Sequence, residues 1–203
     1  MRCDALAVLT LLGAMLSLAG GAAAVPPAGN LEPKITDENG APTIALPEAL
    51  LKQIQTKYPG FRVPRKEDVT GEWANTRTTD QVPYAVWGDM DGNGLTDVAL
   101  MVLGQDKWKV VVFLQQPGGG YHDVPILSRD IRRPDQDAAQ LWTLSLVKKG
   151  EIIRQEQYDG EKMVLVKSHT LKTDAIDLDL SIGGGSTYYW SNQRFERIRR
   201  PSE

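Results

Sequence analysis

The chain has a single cysteine, Cys3, and two histidines, His122 and His169, among 203 residues. Cys3 lies in the leading segment, so the remainder can form no disulfide, hold no thiolate metal site and offer no thiol nucleophile. Two separate histidines without cysteine also leave too few nitrogen and sulfur ligands for a zinc centre. Basic charge is not in excess either. The formal net charge is −3, whereas a dedicated nucleic-acid binder carries a strongly basic footprint. After residue 24 no long apolar run occurs, so no membrane span is expected there.

What the leading segment does have is an address. Arg2 supplies a weak positive end, offset by Asp4, and Ala5 to Ala19 form an apolar core. Small residues follow, with an A-x-A site at Ala22-Ala23-Ala24. This is the layout of a cleaved secretory signal over residues 1–24, with the mature chain starting at Val25. Export to the periplasm or the medium is therefore expected. Cys3 precedes the apolar run, which argues against a lipoprotein. Removing residues 1–24 from 203 leaves 179, enough for one domain with a real core. An exported chain without disulfides has to draw its stability from packing or from a bound ion.

Residues 25–43 are rich in Pro, Gly, Ala and Asn without a sustained period and read as a flexible lead-in. A single β-rich domain is expected over residues 44–203. It opens with an amphipathic helix. Pro47 suits a first helical position and Glu48 the positive N-terminal end. Leu50, Leu51, Ile54 and Tyr58 recur at helical spacing, and Pro59-Gly60 ends the run. About eleven residues is too short to be stable alone in water, so this helix must lie on an apolar surface. From Pro83 on the punctuation is that of strands: 84–87, 97–103, 108–114, 121–127, 141–147, 151–155, 163–166, 175–180, 187–190 and 195–198. Lys148-Lys149-Gly150 reads as a hairpin turn and Arg129 to Gln140 as a long polar loop. The fold class is thus mainly antiparallel β, all-β or α+β, with one N-terminal helix.

Between the first two of those strands lies Gly88-Asp89-Met90-Asp91-Gly92-Asn93-Gly94-Leu95-Thr96-Asp97. Asp89, Asp91, Asn93 and Asp97 occupy positions one, three, five and nine, and Gly94 occupies position six. With the Leu95 carbonyl at seven, these match the first five ligand positions of an EF-hand calcium loop. Position twelve is Leu100 instead of glutamate, and Asp97 to Leu103 is an apolar β segment. The expectation is a strand–loop–strand site for Ca2+, a hard ion that takes several oxygen ligands in a flexible cage. The competing reading is an ion-free loop of Asx turns with Gly92 and Gly94 at positive φ. An Asx turn needs one or two such residues, whereas here four stand at alternate positions.

This loop resembles the calcium loops of the FG-GAP and VCBS-type repeat family, which read roughly G-D-x-[ND]-G-[DN]-G-x-x-D before a strand. The resemblance covers Tyr84 to Leu114. It implies side-chain ligation by Asp89, Asp91, Asn93 and Asp97, completed by the Leu95 carbonyl. In full propellers of that family the loop recurs blade after blade, but no second copy occurs in this chain. The remaining β-rich length would build about two blades, too few to close a ring. The adhesive role of whole propellers is therefore not carried over.

Other candidates are weaker. Ser168, His169 and Asp174 could be written as a triad, but neighbouring strand residues point to opposite faces, and no G-x-S-x-G elbow is present. Gly183-Gly184-Gly185-Ser186-Thr187 lacks the lysine and following helix of a phosphate loop. Asp174, Asp177 and Asp179 form a second acidic group, in which Asp177 and Asp179 alternate with apolar residues as on a half-solvated strand. Trp73, Trp87, Trp108, Trp142, Tyr188, Tyr189 and Trp190 are core candidates, or a face for a glycan or protein partner if several are exposed. Arg194, Arg197, Arg199 and Arg200 suit a solvated strand edge. Together these features point to an exported calcium-binding module without catalytic residues, binding a partner or associated with the cell envelope. Two alternatives stay open. One is a secreted or periplasmic hydrolase, using His122 with Asp123 or His169 with Asp174. The other is an inhibitor of an extracellular enzyme presenting Gly183 to Thr187.

Overall fold

The structure is a computed structural model that describes residues 32–38, 41–69, 73, 81–130, 142–160, 162–181 and 183–200. The leader at 1–24 and the segment 131–140 lie outside these residues. The protein is mainly antiparallel β with one short helix. Its strands are β1 (Lys34–Glu38), β2 (Ala41–Ala45), β3 (Ala85–Gly88), β4 (Asp97–Leu103), β5 (Lys107–Gln115), β6 (Tyr121–Asp130), β7 (Trp142–Val147), β8 (Ile152–Asp159), β9 (Lys162–Thr170), β10 (Ala175–Leu180), β11 (Gly185–Ser191) and β12 (Arg194–Arg200). They form two four-stranded sheets, ordered β3-β4-β5-β6 and β12-β11-β10-β7, and two ribbons, β1-β2 and β8-β9.

The first sheet is a meander whose centre is apolar on both faces. Val98 to Val102 on β4 and Val110 to Phe113 on β5 are fully buried. One cover is the helix α1 (Glu48–Lys57), which buries Leu50 and Ile54 and sets Tyr58 edge-on to Phe113 at 6.2 Å. Each such aliphatic side chain contributes about 1.5–3 kcal/mol on burial, which is what holds so short a helix. Leu51, expected on the buried stripe, is instead exposed beside a cleft bordered by β2 and Phe61. The helix is also pinned by polar contacts. Asp123 on β6 accepts from Tyr58 Oη at 2.7 Å and Gln53 Nε2 at 3.0 Å, and pairs with Lys57.

The second sheet contributes Leu144, Ile176, Leu178 and Tyr188 to the same core. Trp108 meets Trp142 across it at 6.1 Å, and the buried Trp73 donates its indole N–H to the Trp142 carbonyl at 2.6 Å. The two sheets adjoin along β3 and β7, where Leu144 N–H donates to the Pro83 carbonyl at 2.8 Å.

Two expectations are corrected here. Residues 34–43, read as lead-in, lie largely in the β1–β2 hairpin, with Thr36 and Thr43 hydroxyls 2.9 Å apart across it. The register leaves Asn39-Gly40 between the strands. That pair is itself a strong hairpin signal, outweighed in the sequence by the surrounding Pro and Gly. Nor do Lys148-Lys149-Gly150 join a hairpin of β7 with β8. Instead β7 pairs with β10 and β8 with β9, so the four form one long hairpin interrupted at 148–151 and 171–174. Across that break Gly150 N–H donates to the Leu171 carbonyl and Leu171 N–H to the Glu151 carbonyl. The chain bends there without reversing. No helix among the described residues is long and apolar enough to cross a membrane.

Candidate metal centre

The β3–β4 connection, residues 89–96, folds back on the residue that follows it. Asp97 starts β4 and is wholly buried. Its Oδ2 accepts from the Met90 N–H at 2.8 Å and the Asp91 N–H at 3.2 Å, and its Oδ1 accepts from the Gln115 N–H at 2.8 Å. The start of the loop is thus wrapped round one carboxylate, which is tied in turn to the end of β5. Asp89 Oδ1 accepts from the Gly92 N–H, Asp91 Oδ1 from the Asn93 N–H and Asn93 Oδ1 from the Leu95 N–H. Gly92 and Gly94 carry φ of 84° and 81°, a region that glycine enters without cost.

Asp89, Asp91 and Asp97 come together, each offering a carboxylate oxygen within 4.8 Å of the others'. Among the described residues none of the three is in an ion pair with lysine or arginine. The electrostatic consequence is visible in their protonation. Burial, reinforced by the charge of Asp91 and opposed by the three backbone N–H groups, pushes the Asp97 carboxyl up to about 7. Burial also raises Asp91, with the charge of Asp89 adding to it against the hydrogen bond from Asn93. Even the Tyr121 phenol on β6 is raised, first by burial and then by the charge of Asp97. Like charges crowded and uncompensated in this way are the environment a divalent cation relieves.

The other two expected ligands stand differently. Asn93 is exposed, and its amide nitrogen donates to the Gln115 carbonyl at 2.8 Å and to Asp91 Oδ2 at 3.2 Å. Leu95 is half-buried, and its N–H is the group that caps Asn93. Three carboxylates with an amide and a carbonyl nearby make an all-oxygen donor set. Its chemistry suits a hard cation such as calcium and not zinc or copper.

Two contributors are invisible in the loop's own sequence. Gln115 meets both Asp97 and Asn93 through its main chain, which no side-chain pattern could reveal. From the second sheet, the Asp174 N–H donates to the Asp89 carbonyl at 3.0 Å, and Asp174 is itself held by Lys148 Nζ at 3.1 Å and the Lys149 N–H at 3.0 Å. The loop therefore sits on the seam between the sheets. A methyl group on Gly88 would run into the Asp174 carboxylate and Leu146.

The remaining candidates are distributed otherwise. Asp177 and Asp179 share Arg200 as countercharge, and Asp177 also accepts from the Thr187 hydroxyl at 2.8 Å. That second acidic group thus already has its cation. Among the described residues neither histidine hydrogen-bonds a carboxylate. His122 is exposed, and His169 lies against the Tyr189 ring at 4.4 Å. Ser186 and Thr187 are buried within β11, so Gly183 to Thr187 is a tight turn entering a strand and not a projecting loop. Trp73, Trp108, Tyr188 and Tyr189 are buried, and Trp87, Trp142 and Trp190 are half-buried. Trp87, Trp108 and Trp190 therefore share no exposed face. On β12, Arg194, Arg197 and Arg199 are exposed along an edge strand, as a solvated edge requires. Comparison with known proteins finds no matching family model, no matching curated protein and no matching solved structure.

Proposed function

We propose that this chain is an exported, non-catalytic binding or envelope-associated module whose β3–β4 loop holds a structural calcium ion. The observation that carries this reading is the convergence of Asp89, Asp91 and Asp97 with no basic partner among the described residues. The loop's resemblance to FG-GAP and VCBS-type calcium loops supports it, as does the leader-like segment at 1–24. Asp89, Asp91, Asn93 and Asp97 would supply side-chain oxygens and Leu95 its carbonyl. The ion's role would be electrostatic and mechanical. It would neutralise the carboxylates and fasten β3 to β4 where the second sheet meets them. Since the chain lacks disulfides, such an ion is its available cross-link. The test is calorimetric titration of the chelator-stripped protein with calcium. One site with heat that disappears in Asp89→Ala and in Asp97→Ala supports the reading, and no binding at millimolar calcium refutes it.

A further inference from the structure

The β8–β9 ribbon has an outward face that its fold does not use. Ile153 on the inner face packs with Leu171, Tyr189 and Ile198, and its cross-strand partner His169 lies against Tyr189. By alternation Ile152, Arg154 and Glu156 point the other way. Leu165 pairs with Glu156 and Met163 two positions on, so both share that outward face. There Ile152 is 59% exposed, Leu165 58%, and Met163 41%, with the bulged Val166 at 53% beside them. The solvent face of a two-stranded antiparallel ribbon is ordinarily polar, and adjacent exposed aliphatics mark a contact surface.

The charges on the ribbon select the partner. Between Ile152 and Thr170, Arg154, Lys162 and Lys167 balance Glu156, Asp159 and Glu161. A ribbon of zero net charge has no preference for an anionic lipid surface or a strongly charged protein. On the outward face Arg154 and Glu156 stand two residues apart on β8, both exposed, and neither forms an ion pair among the described residues. A two-fold axis through Gln155 brings Arg154 of each copy against Glu156 of the other, twice over. That is the self-complementarity an isologous interface requires. Edge-to-edge pairing through β9 is opposed by the bulge at Val166 and by Lys162 and Lys167, which are the usual guards of an edge.

We propose that the outward face of the β8–β9 ribbon is a two-fold interface with a second copy of this chain, apolar at Ile152, Met163, Leu165 and Val166 and registered by reciprocal Arg154–Glu156 pairs. One face of a single ribbon is less than the roughly 800 Å² per partner of a stable complex, so the dimer is expected to be reversible.

The experiment is sedimentation equilibrium of the intact mature protein over a wide concentration range, with melting curves as the check on folding. The expected result is a monomer–dimer equilibrium that Leu165→Asp abolishes. Arg154→Glu and Glu156→Arg should each weaken association roughly tenfold, since two attractions become repulsions. The double variant Arg154→Glu/Glu156→Arg should restore it. A protein monomeric at every concentration overturns the proposal. So does a dimer indifferent to these changes, or a double variant no better than the singles. If Leu165→Asp unfolds the protein, the charge-reversal series alone decides.

Discussion

Replacing Asp97 by asparagine keeps the shape of the side chain and removes its charge. In the folded protein the carboxylate accepts from three main-chain donors, Met90, Asp91 and Gln115. The amide can keep its oxygen toward the Met90 and Asp91 N–H groups, which leaves its NH2 facing the Gln115 N–H. That lost bond costs about 1–3 kcal/mol, and relief of a buried negative charge offsets part of it. In chelator, then, Asp97→Asn should melt near the unaltered protein or a few degrees below. In calcium the two should separate. At a hundredfold excess over the dissociation constant a structural ion adds about 2.7 kcal/mol. For a domain of this size 1 kcal/mol moves Tm by about 2–4 °C, so calcium should raise the unaltered protein by roughly 5–11 °C. Asp97→Asn should show no such rise. Scanning calorimetry in calcium and in chelator reads both quantities. Equal melting of the unaltered protein in the two buffers refutes the reasoning, and so does an undiminished calcium shift in Asp97→Asn.

Other outcomes follow from the packing. Gly88→Ala should destabilise by about 1–3 kcal/mol, because its methyl meets Asp174 and Leu146 at the seam; urea unfolding measures it, and an unchanged midpoint contradicts the seam. Tyr58→Phe should cost about 1.5–3 kcal/mol near neutral pH, the value of a hydrogen bond to a charged acceptor, read from the same unfolding curves. Burial tends to raise Asp123, but the hydrogen bonds from Lys57 and Tyr58 outweigh it and hold the carboxyl below its ordinary value. A depressed carboxyl stabilises the fold above its unfolded pKa of about 3.9, and that stability is lost as pH falls through the folded value. The gap in stability between the unaltered protein and Asp123→Asn should therefore be constant from neutral pH down to about 5 and shrink below 4. A gap that is unchanged at pH 3 shows that Asp123 is not the anchor of α1.

Much of this architecture was legible in the residues because it is local. Alternation and glycine turns marked β3 to β6, and Leu50 with Ile54 marked the inner face of α1. The spacing of Asp89, Asp91 and Asp97 anticipated a convergence of carboxylates, since a tight loop leaves alternate side chains no room to diverge. Leu51 misled because helical periodicity cannot say how wide the covering surface is. The hairpin β1–β2 was missed because proline and glycine near a turn look alike whether or not strands flank it.

Pairing partners distant in sequence were another matter. Only the folded chain decides that β7 passes a bend and pairs with β10, that Arg200 neutralises Asp177 and Asp179, and that the main chain of Gln115 closes the acidic loop. Each depends on which backbone edges and charges meet in space. The amino-acid order by itself determined the strand-rich class, the lack of disulfide cross-links and an oxygen-rich loop between two apolar strands. Tertiary structure decided that this loop lies on the seam of two sheets, because close packing of Gly88 against Asp174 leaves room for nothing larger than hydrogen at that point.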